Sequence, residues 1–247
     1  MADPIMADQE EKMNIWISIR KTLLVPIHPA GWPFILGFAL ITAVLAALEE
    51  LLLFPGLVLT LWCVYFFRNP VRVTPQRDDL VIAPADGRVL SVQELPAPAE
   101  MELPEGRYVR VAIFMNVFDV HVNRAPMAGK VMDKFHFPGV FVNASLDKAS
   151  EMNERLGLVL KTETGKSIGV VQIAGLVARR ILCDVSEGDS LKAGAEYGII
   201  RFGSRVDIWL PKPVRVLALP GQRSIAGETV IADFARGAKA PGEGVAS

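Results

Sequence analysis

The sequence predicts a mainly β domain preceded by an apolar helical hairpin. Three observations predict it. Two uncharged apolar runs, Trp32 to Leu48 and Leu51 to Phe67, are separated only by Glu49 and Glu50. From about Asp78 onward, short β-branched stretches alternate with Gly, Pro and Asp punctuation. The apolar fraction of 51% is slightly high for a soluble domain, and its excess sits in the two runs.

Each apolar run is at the short end of what crosses a bilayer as a helix. The Glu49-Glu50 connection leaves room only for a tight turn, so the runs form an antiparallel hairpin with both outer ends on one side. Arg20 and Lys21 precede the first run, and Arg68, Arg72 and Arg77 follow the second. Cations at the outer ends and carboxylates at the turn place the outer ends in the cytoplasm. Trp32, Trp62 and Tyr65 lie near the ends of the runs, where interfacial aromatics belong. A shallow interfacial anchor and a buried core hairpin are the alternatives to spanning. A cleaved signal peptide does not fit, because the run starts too far in and is followed by Glu-Glu instead of small residues. The expected organisation is a membrane-anchoring segment over 1–77, with its hairpin at about 32–67, and a second domain over 78–247.

Within that second domain the expected strands are Leu80–Ala83, Arg88–Gln93, Tyr108–Met115, Lys130–Phe135, Ser167–Ile173, Ala178–Asp184, Gly198–Phe202, Val206–Leu210 and Val214–Leu219. Many short strands at such spacing indicate a sandwich or barrel. Gly165-Lys166 reads as a two-residue hairpin turn. One helix is expected over Leu146–Leu156, capped by Ser145 and ended by Gly157. Leu146, Ala149, Met152 and Leu156 share one face of it, and Glu151 and Arg155 pair on the other. The regular glycines between Ser186 and Gly203 resemble the turns of a lipoyl-like, hammerhead β-barrel. Lys192 follows Leu191 in a turn-rich stretch and is a poor carrier lysine. The tail from Gly237 is small and polar and is expected to fray.

Composition narrows the function. A net charge of −1 gives no case for a nucleic-acid partner. Cys63 and Cys183 are too far apart to suggest zinc ligation or a disulfide framework, so no metal site is expected. The informative stretch is Arg201-Phe202-Gly203-Ser204-Arg205-Val206-Asp207. By itself Gly203-Ser204 is an ordinary turn. It also permits a specific chemistry. Glycine lets the backbone strain without a Cβ clash, and the serine hydroxyl can attack the preceding carbonyl to give an ester. Elimination from that ester leaves dehydroalanine, which hydrolyses to a pyruvoyl group at a new N-terminus. Asp86 before Gly87 reads equally as a hairpin turn, and His121 as a satisfied core histidine.

Taken together, five ordered stretches resemble the phosphatidylserine decarboxylase family in its short bacterial and archaeal form. They are Ala83-Pro84-Ala85-Asp86-Gly87; Phe118-Asp119-Val120-His121-Val122-Asn123-Arg124-Ala125-Pro126; Phe137-Pro138-Gly139 with Asn143 to Ala149 and Asn153-Glu154-Arg155; Gln172-Ile173-Ala174-Gly175 with Ala178-Arg179-Arg180-Ile181; and the Gly203-Ser204 stretch. The resemblance implies a pyruvoyl-dependent decarboxylation of phosphatidylserine to phosphatidylethanolamine. It implies self-cleavage between Gly203 and Ser204 into chains 1–203 and 204–247, which stay together as a heterodimer. Ser204 would become the covalent pyruvoyl cofactor, with Asp86 and His121 linked to cleavage and catalysis and Asp119 a weaker candidate beside them. Longer members carry a second histidine where this chain has Arg124, which cannot act as a base at neutral pH. Proton removal from Ser204 is therefore expected of Asp86, and proton delivery to substrate of His121. Arg124 is a substrate-binding candidate, and His136 a supporting or membrane-facing one, in the aromatic stretch Phe135 to Phe141. The expected setting is the cytoplasmic face of the cell inner membrane; homo-oligomerisation is left open. The other classes open to the sequence are a membrane-anchored lipoyl-like carrier or scaffold without catalysis, and a pyruvoyl decarboxylase for a soluble amino acid.

Overall fold

A computed structural model describes residues 25–139, 144, 152–175, 180–201 and 203–235. Several expected features lie outside them: Arg20 and Lys21, Val140 and Phe141, the Ser145 cap with residues 146–151 of the expected helix, Ala178, Phe202 and the tail from Gly237. The chain divides into two compact units, Met1–Val71 and Arg72–Ser247.

The first unit contains α1 (Trp32–Leu48), a 3-10 turn at Glu50–Leu52 and α2 (Leu53–Phe66). The two helices run antiparallel. Ile27 bridges Arg68 near their outer ends, Phe34 stacks on Phe67, and Thr42 Oγ1 meets Thr60 Oγ1 at 3.2 Å in their midst. Each threonine hydroxyl also donates to the carbonyl four residues back, Phe38 and Gly56 respectively, so little polarity is left uncompensated. The apolar side chains point outward: Leu40, Leu51 and Phe54 are 67%, 80% and 75% exposed. The helical stretch Pro29–Leu48 is long and apolar enough to cross a membrane; Glu50–Phe66 is shorter.

The second unit is mainly β, with three sheets. The largest has eight strands, named here in chain order with their partners. β2 (Gly87–Leu95), β3 (Tyr108–Met115), β11 (Ser204–Pro211), β7 (Ser167–Ala174), β6 (Arg155–Thr162) and β5 (Gly129–Phe137) lie side by side in that order. Short β13 (Arg223–Ser224) and β9 (Ser190–Leu191) close the two edges. β4 (Val122–Arg124), β10 (Glu196–Ile200) and β8 (Ile181–Cys183) form a second sheet, ordered β4-β10-β8. β1 (Leu80–Ile82), β14 (Val230–Asp233) and β12 (Arg215–Val216) form the third. All pairs are antiparallel.

Alternation on β11 shows how the large sheet is used. Val206, Ile208 and Leu210 enter the main core with Val111, Ile113, Leu158, Leu160, Ile168 and Val170. Trp209 faces the other way, into a smaller cluster with Met101, Tyr108, Val159, Val171 and Ile173. Both faces are buried, which is why the strand reads as nearly continuous apolar sequence.

The expected helix is corrected in its last residues. Arg155 and Leu156 begin β6, and Gly157 pairs with Phe135 instead of ending a helix. The Phe135 ring lies where a Gly157 Cβ would stand, so the aromatic covers the glycine across the strands. Arg155 pairs with Glu100 at 3.0 Å. The β6–β7 hairpin also differs in detail. Its loop spans Glu163 to Lys166, with Gly165 N–H donating to the Thr162 carbonyl at 2.9 Å and Gly165 at φ +79°. This is a turn followed by a left-handed residue, a longer connection than a two-residue turn.

Candidate active site

Ser204 is the first residue of the central strand β11, paired with Met115 of β3 on one side and Ala174 of β7 on the other. By alternation with Val206 it faces the main core, and it is fully buried. Among the described residues its hydroxyl meets nothing stronger than the Met115 sulfur, at 4.0 Å. Gly203 precedes it in the left-handed region, φ +67°, a conformation that costs a side-chain-bearing residue about 1 kcal/mol or more. The Gly203 carbonyl oxygen lies against Gly175, where an added Cβ would approach to 2.1 Å. Glycines on both sides thus bring two backbones together at the bond sequence analysis singled out.

His121, the residue before β4, reaches the nitrogen of Gly203, one peptide bond before that bond. It is fully buried, and Gly203 N–H donates to its Nε2 at 3.2 Å. A backbone N–H only donates, so Nε2 is the acceptor and the ring proton sits on Nδ1. Nδ1 in turn donates to the Asp119 carbonyl at 3.0 Å. Asp119 therefore orients His121 through its backbone. Its carboxylate is engaged elsewhere, accepting from the Asn116 N–H at 2.9 Å and from Arg223 at 3.1 Å.

Asp86 lies further across the sheet. It precedes β2, whose neighbour β3 separates it from β11, so two strand spacings, roughly 10 Å, divide its backbone from Ser204. Arg72 donates to both its oxygens, at 3.0 and 2.8 Å, and Ala226 N–H donates to one at 2.8 Å. Burial raises the Asp86 pKa above the usual carboxylate value, against the opposing charge of Arg72. Arg124 donates to the Gly194 carbonyl and to Glu196, at 3.1 and 2.9 Å, and feels the charges of Arg72 and Asp86. His136 stands apart. Its β5 position is three strands from β11, roughly 14 Å, and its Nε2 meets Glu154 at 3.2 Å.

Sequence analysis missed four residues around Ser204. Gln172 Nε2 donates to Asn123 Oδ1 at 2.8 Å, and Asn123 Nδ2 reaches the Met115 sulfur at 3.7 Å. Gln172 Oε1 is buried with no hydrogen-bond partner among the described residues. Asn153 Nδ2 donates to the Ala174 carbonyl at 2.6 Å, holding the strand segment beside Ser204. Asn123, Asn153 and Gln172 stand in stretches that carry the family resemblance, and Asn123 also shares the period-2 relation with His121; Met115 had neither signal. Arg72 was grouped with the anchor, yet it holds Asp86.

A buried serine follows a left-handed glycine whose own N–H meets an imidazole, and these are residue types that an acyl shift requires. Comparisons with known proteins specify the family. The family model for phosphatidylserine decarboxylase matches residues 59–232. The phosphatidylserine decarboxylase proenzyme of Nitrobacter winogradskyi is 49% identical over 233 residues, covering 92% of this chain and 94% of the relative. The chain belongs to the phosphatidylserine decarboxylase family, and it is an enzyme of that family.

Proposed function

We propose that the chain cleaves itself between Gly203 and Ser204, converts Ser204 into a pyruvoyl group, and uses it to decarboxylate phosphatidylserine to phosphatidylethanolamine. The single observation that carries this is Gly203 N–H donating to His121 Nε2 at 3.2 Å, one residue before the buried Ser204, whose hydroxyl has no partner stronger than the Met115 sulfur among the described residues. Ser204 Oγ attacks the Gly203 carbonyl carbon as His121 Nε2 takes the hydroxyl proton and returns it to the departing amide nitrogen. The ester then loses the Gly203 carboxylate by elimination across Cα and Cβ of residue 204, and water releases ammonia to leave the keto group.

The surroundings fit that group. Met115 and Ala174 flank it, Gly175 keeps the preceding carbonyl in a close cradle, and Gln172 Oε1 offers a buried acceptor. A pyruvoyl carbonyl supplies an electron sink for the pair released with carbon dioxide. His121 Nε2 is the group placed to return a proton to the carbon left behind. Asp86, clamped by Arg72 and Ala226, supports the fold of the site as a fixed carboxylate. The proposed roles reverse the division expected from sequence: the imidazole meets the Gly203 nitrogen, one peptide bond before the proposed cut, while Asp86 is clamped by Arg72.

The products are a heterodimer of 1–203 and 204–247. The apolar hairpin anchors it to the cell inner membrane with the β unit on the cytoplasmic side, supported by the outward Leu and Phe side chains. The curled β architecture and its glycine-spaced turns are read as lipoyl-like, of hammerhead type. Intact mass decides: two chains, the smaller blocked at its N-terminus and reactive toward a carbonyl reagent, are expected. A single unmodified chain with no product release would overturn the proposal.

A further inference from the structure

Antiparallel pairing gathers one set of strand ends around Ser204. Met115 and Ala174 flank it, Arg88 at the start of β2 pairs with Phe114, and Arg155 at the start of β6 pairs with Ile173 and Phe137. Connections at this end carry apolar side chains into solvent. Phe118, in the connection that leaves β3, is 60% exposed, and it is the one exposed aromatic side chain among the described residues of the β unit. Met152, shortly before β6, is 49% exposed. Each stands next to a residue that holds the reaction centre. Asp119 follows Phe118, and its carbonyl accepts from His121 at 3.0 Å. Asn153 follows Met152 and donates to the Ala174 carbonyl at 2.6 Å.

Charge is uneven along the same axis. Arg223 pairs in register with Arg88, and Arg201 N–H donates to the Arg180 carbonyl, so all three exposed arginines, Arg88, Arg180 and Arg223, belong to the Ser204 end. No exposed carboxylate joins them there among the described residues. Arg223 holds the buried Asp119, whereas Arg88 and Arg180 make no ion pair among the described residues. At the far end Leu95 pairs with Tyr108 and Tyr108 with Pro211, and there Glu94, Glu102, Glu105 and Glu163 stand exposed among cations. An exposed aromatic beside net positive charge is what an anionic lipid interface recognises: the ring enters the headgroup layer and the guanidinium groups meet phosphates. We propose that the Ser204 end of the β unit seats on the anionic surface of a lipid bilayer, with Phe118 entering the headgroup layer. The proposal deepens the function proposed above and rests on it for the lipid substrate, whose phosphate and carboxylate outweigh its one ammonium. Seating this end brings the strand that begins at Ser204 to the headgroups, so the serine moiety meets it without the acyl chains leaving the membrane.

The test uses the full chain in vesicles of phosphatidylcholine and phosphatidylglycerol. Phosphatidylglycerol is anionic but has no serine, so the readout does not depend on turnover. A photoreactive benzoylphenylalanine replaces Phe118 in one sample and Leu95, 37% exposed at the far end, in another. The length of β11, Ser204–Pro211, separates the two ends by roughly 24 Å, more than the ~5–10 Å that an interfacial side chain enters. Irradiation should join position 118 to lipid about tenfold more often than position 95. Adducts at 118 should fall about fivefold for each of Arg88→Gln and Arg180→Gln, and further in phosphatidylcholine alone. Equal adducts at both positions, no adducts at 118, or adducts at 118 that ignore lipid charge and both arginines overturn the seating. Intact mass of the same samples reads the function separately. Adducts with the expected charge dependence on a chain that never cuts would uphold the seating and overturn the function proposed above.

Discussion

The two units of this chain solve the same physical problem for opposite solvents. In the hairpin, leucine and phenylalanine face outward and the interior holds a hydrogen-bonded threonine pair, Thr42 and Thr60. In the β unit, Val111, Ile113, Ile168 and Ile208 are fully buried, and charge is kept at the surface or paired. Apolar surface stabilises a fold by leaving water, so side chains that stay outward in the hairpin are suited to a medium that is not water. The difference fits the proposed division of tasks: every group proposed for chemistry lies in the β unit, and the hairpin is proposed to supply location.

The largest expected effect tests the chemical half. Ser204→Ala should leave one chain and no measurable decarboxylation, because alanine has no hydroxyl for the acyl shift. Two chains on a denaturing gel would break the assignment. Next is His121→Ala, which should slow cleavage by two or more orders of magnitude, about the usual worth of a positioned general base. Asp86→Asn should still cut, more slowly. Intact-mass time courses on both give the answer, and the reverse order would restore Asp86 as the base.

Removing residues 1–71 sharpens the comparison from the other side. Cleavage should proceed in the truncated chain, while turnover on vesicles falls at least tenfold through lost local concentration. Equal turnover on vesicles would show that the hairpin is not the anchor.

Arg72→Met tests a buried pair through its pH dependence. Burial raises the folded Asp86 pKa from its ordinary 3.8, so the folded state favours the protonated acid. That contribution is complete below the ordinary value and is lost as pH rises through the raised one. Arg72 offsets the loss. Without it, stability should fall by about 3 kcal/mol near neutral pH, and by less in acid, where Asp86 is neutral. Thermal melts of the solubilised chain in acidic and neutral buffer measure the difference; an equal loss in both would show that Arg72 acts through packing. The smallest effect is expected from Thr42→Val with Thr60→Val, about 0.6 kcal/mol in hairpin stability and none on cleavage.

Much of the fold was legible because β-branched alternation marks strands directly. β2, β3, β7 and the body of β11 lie where Val and Ile recur between turn residues, and β5 opens on Gly129 with Val131, Phe135 and Phe137 alternating. β6 was not among the expected strands, and the expected helix ran over its start. Leu146, Met152 and Leu156 fall at helical spacing, and leucine is a good helix former, so local pattern pointed away from the strand that cross-sheet packing imposes. β12 and β13 are two residues each, too short to show a period. In the site, Ser204 and His121 were found through their motifs and the structure brings them together. Asp86 was found, but its clamp was not, because Arg72 sits in the stretch that follows the hairpin. Met115 and Gln172 become neighbours of Ser204 only through strand register, which no single segment of sequence displays.

The proposed cut falls immediately before β11, the strand with β3 on one flank and β7 on the other. The downstream fragment also supplies β13 at a sheet edge, and β12 with β14 in the third sheet. Cleavage there would turn tertiary structure into quaternary structure without moving a strand. The fragments could not separate without opening both cores, so the processed enzyme would behave as one folding unit until it is denatured. After denaturation its recovery would depend on protein concentration, which the uncut precursor would not require. The peptide bond would then serve as scaffolding: needed to assemble the sheet in one molecule, and dispensable once the central strand is seated.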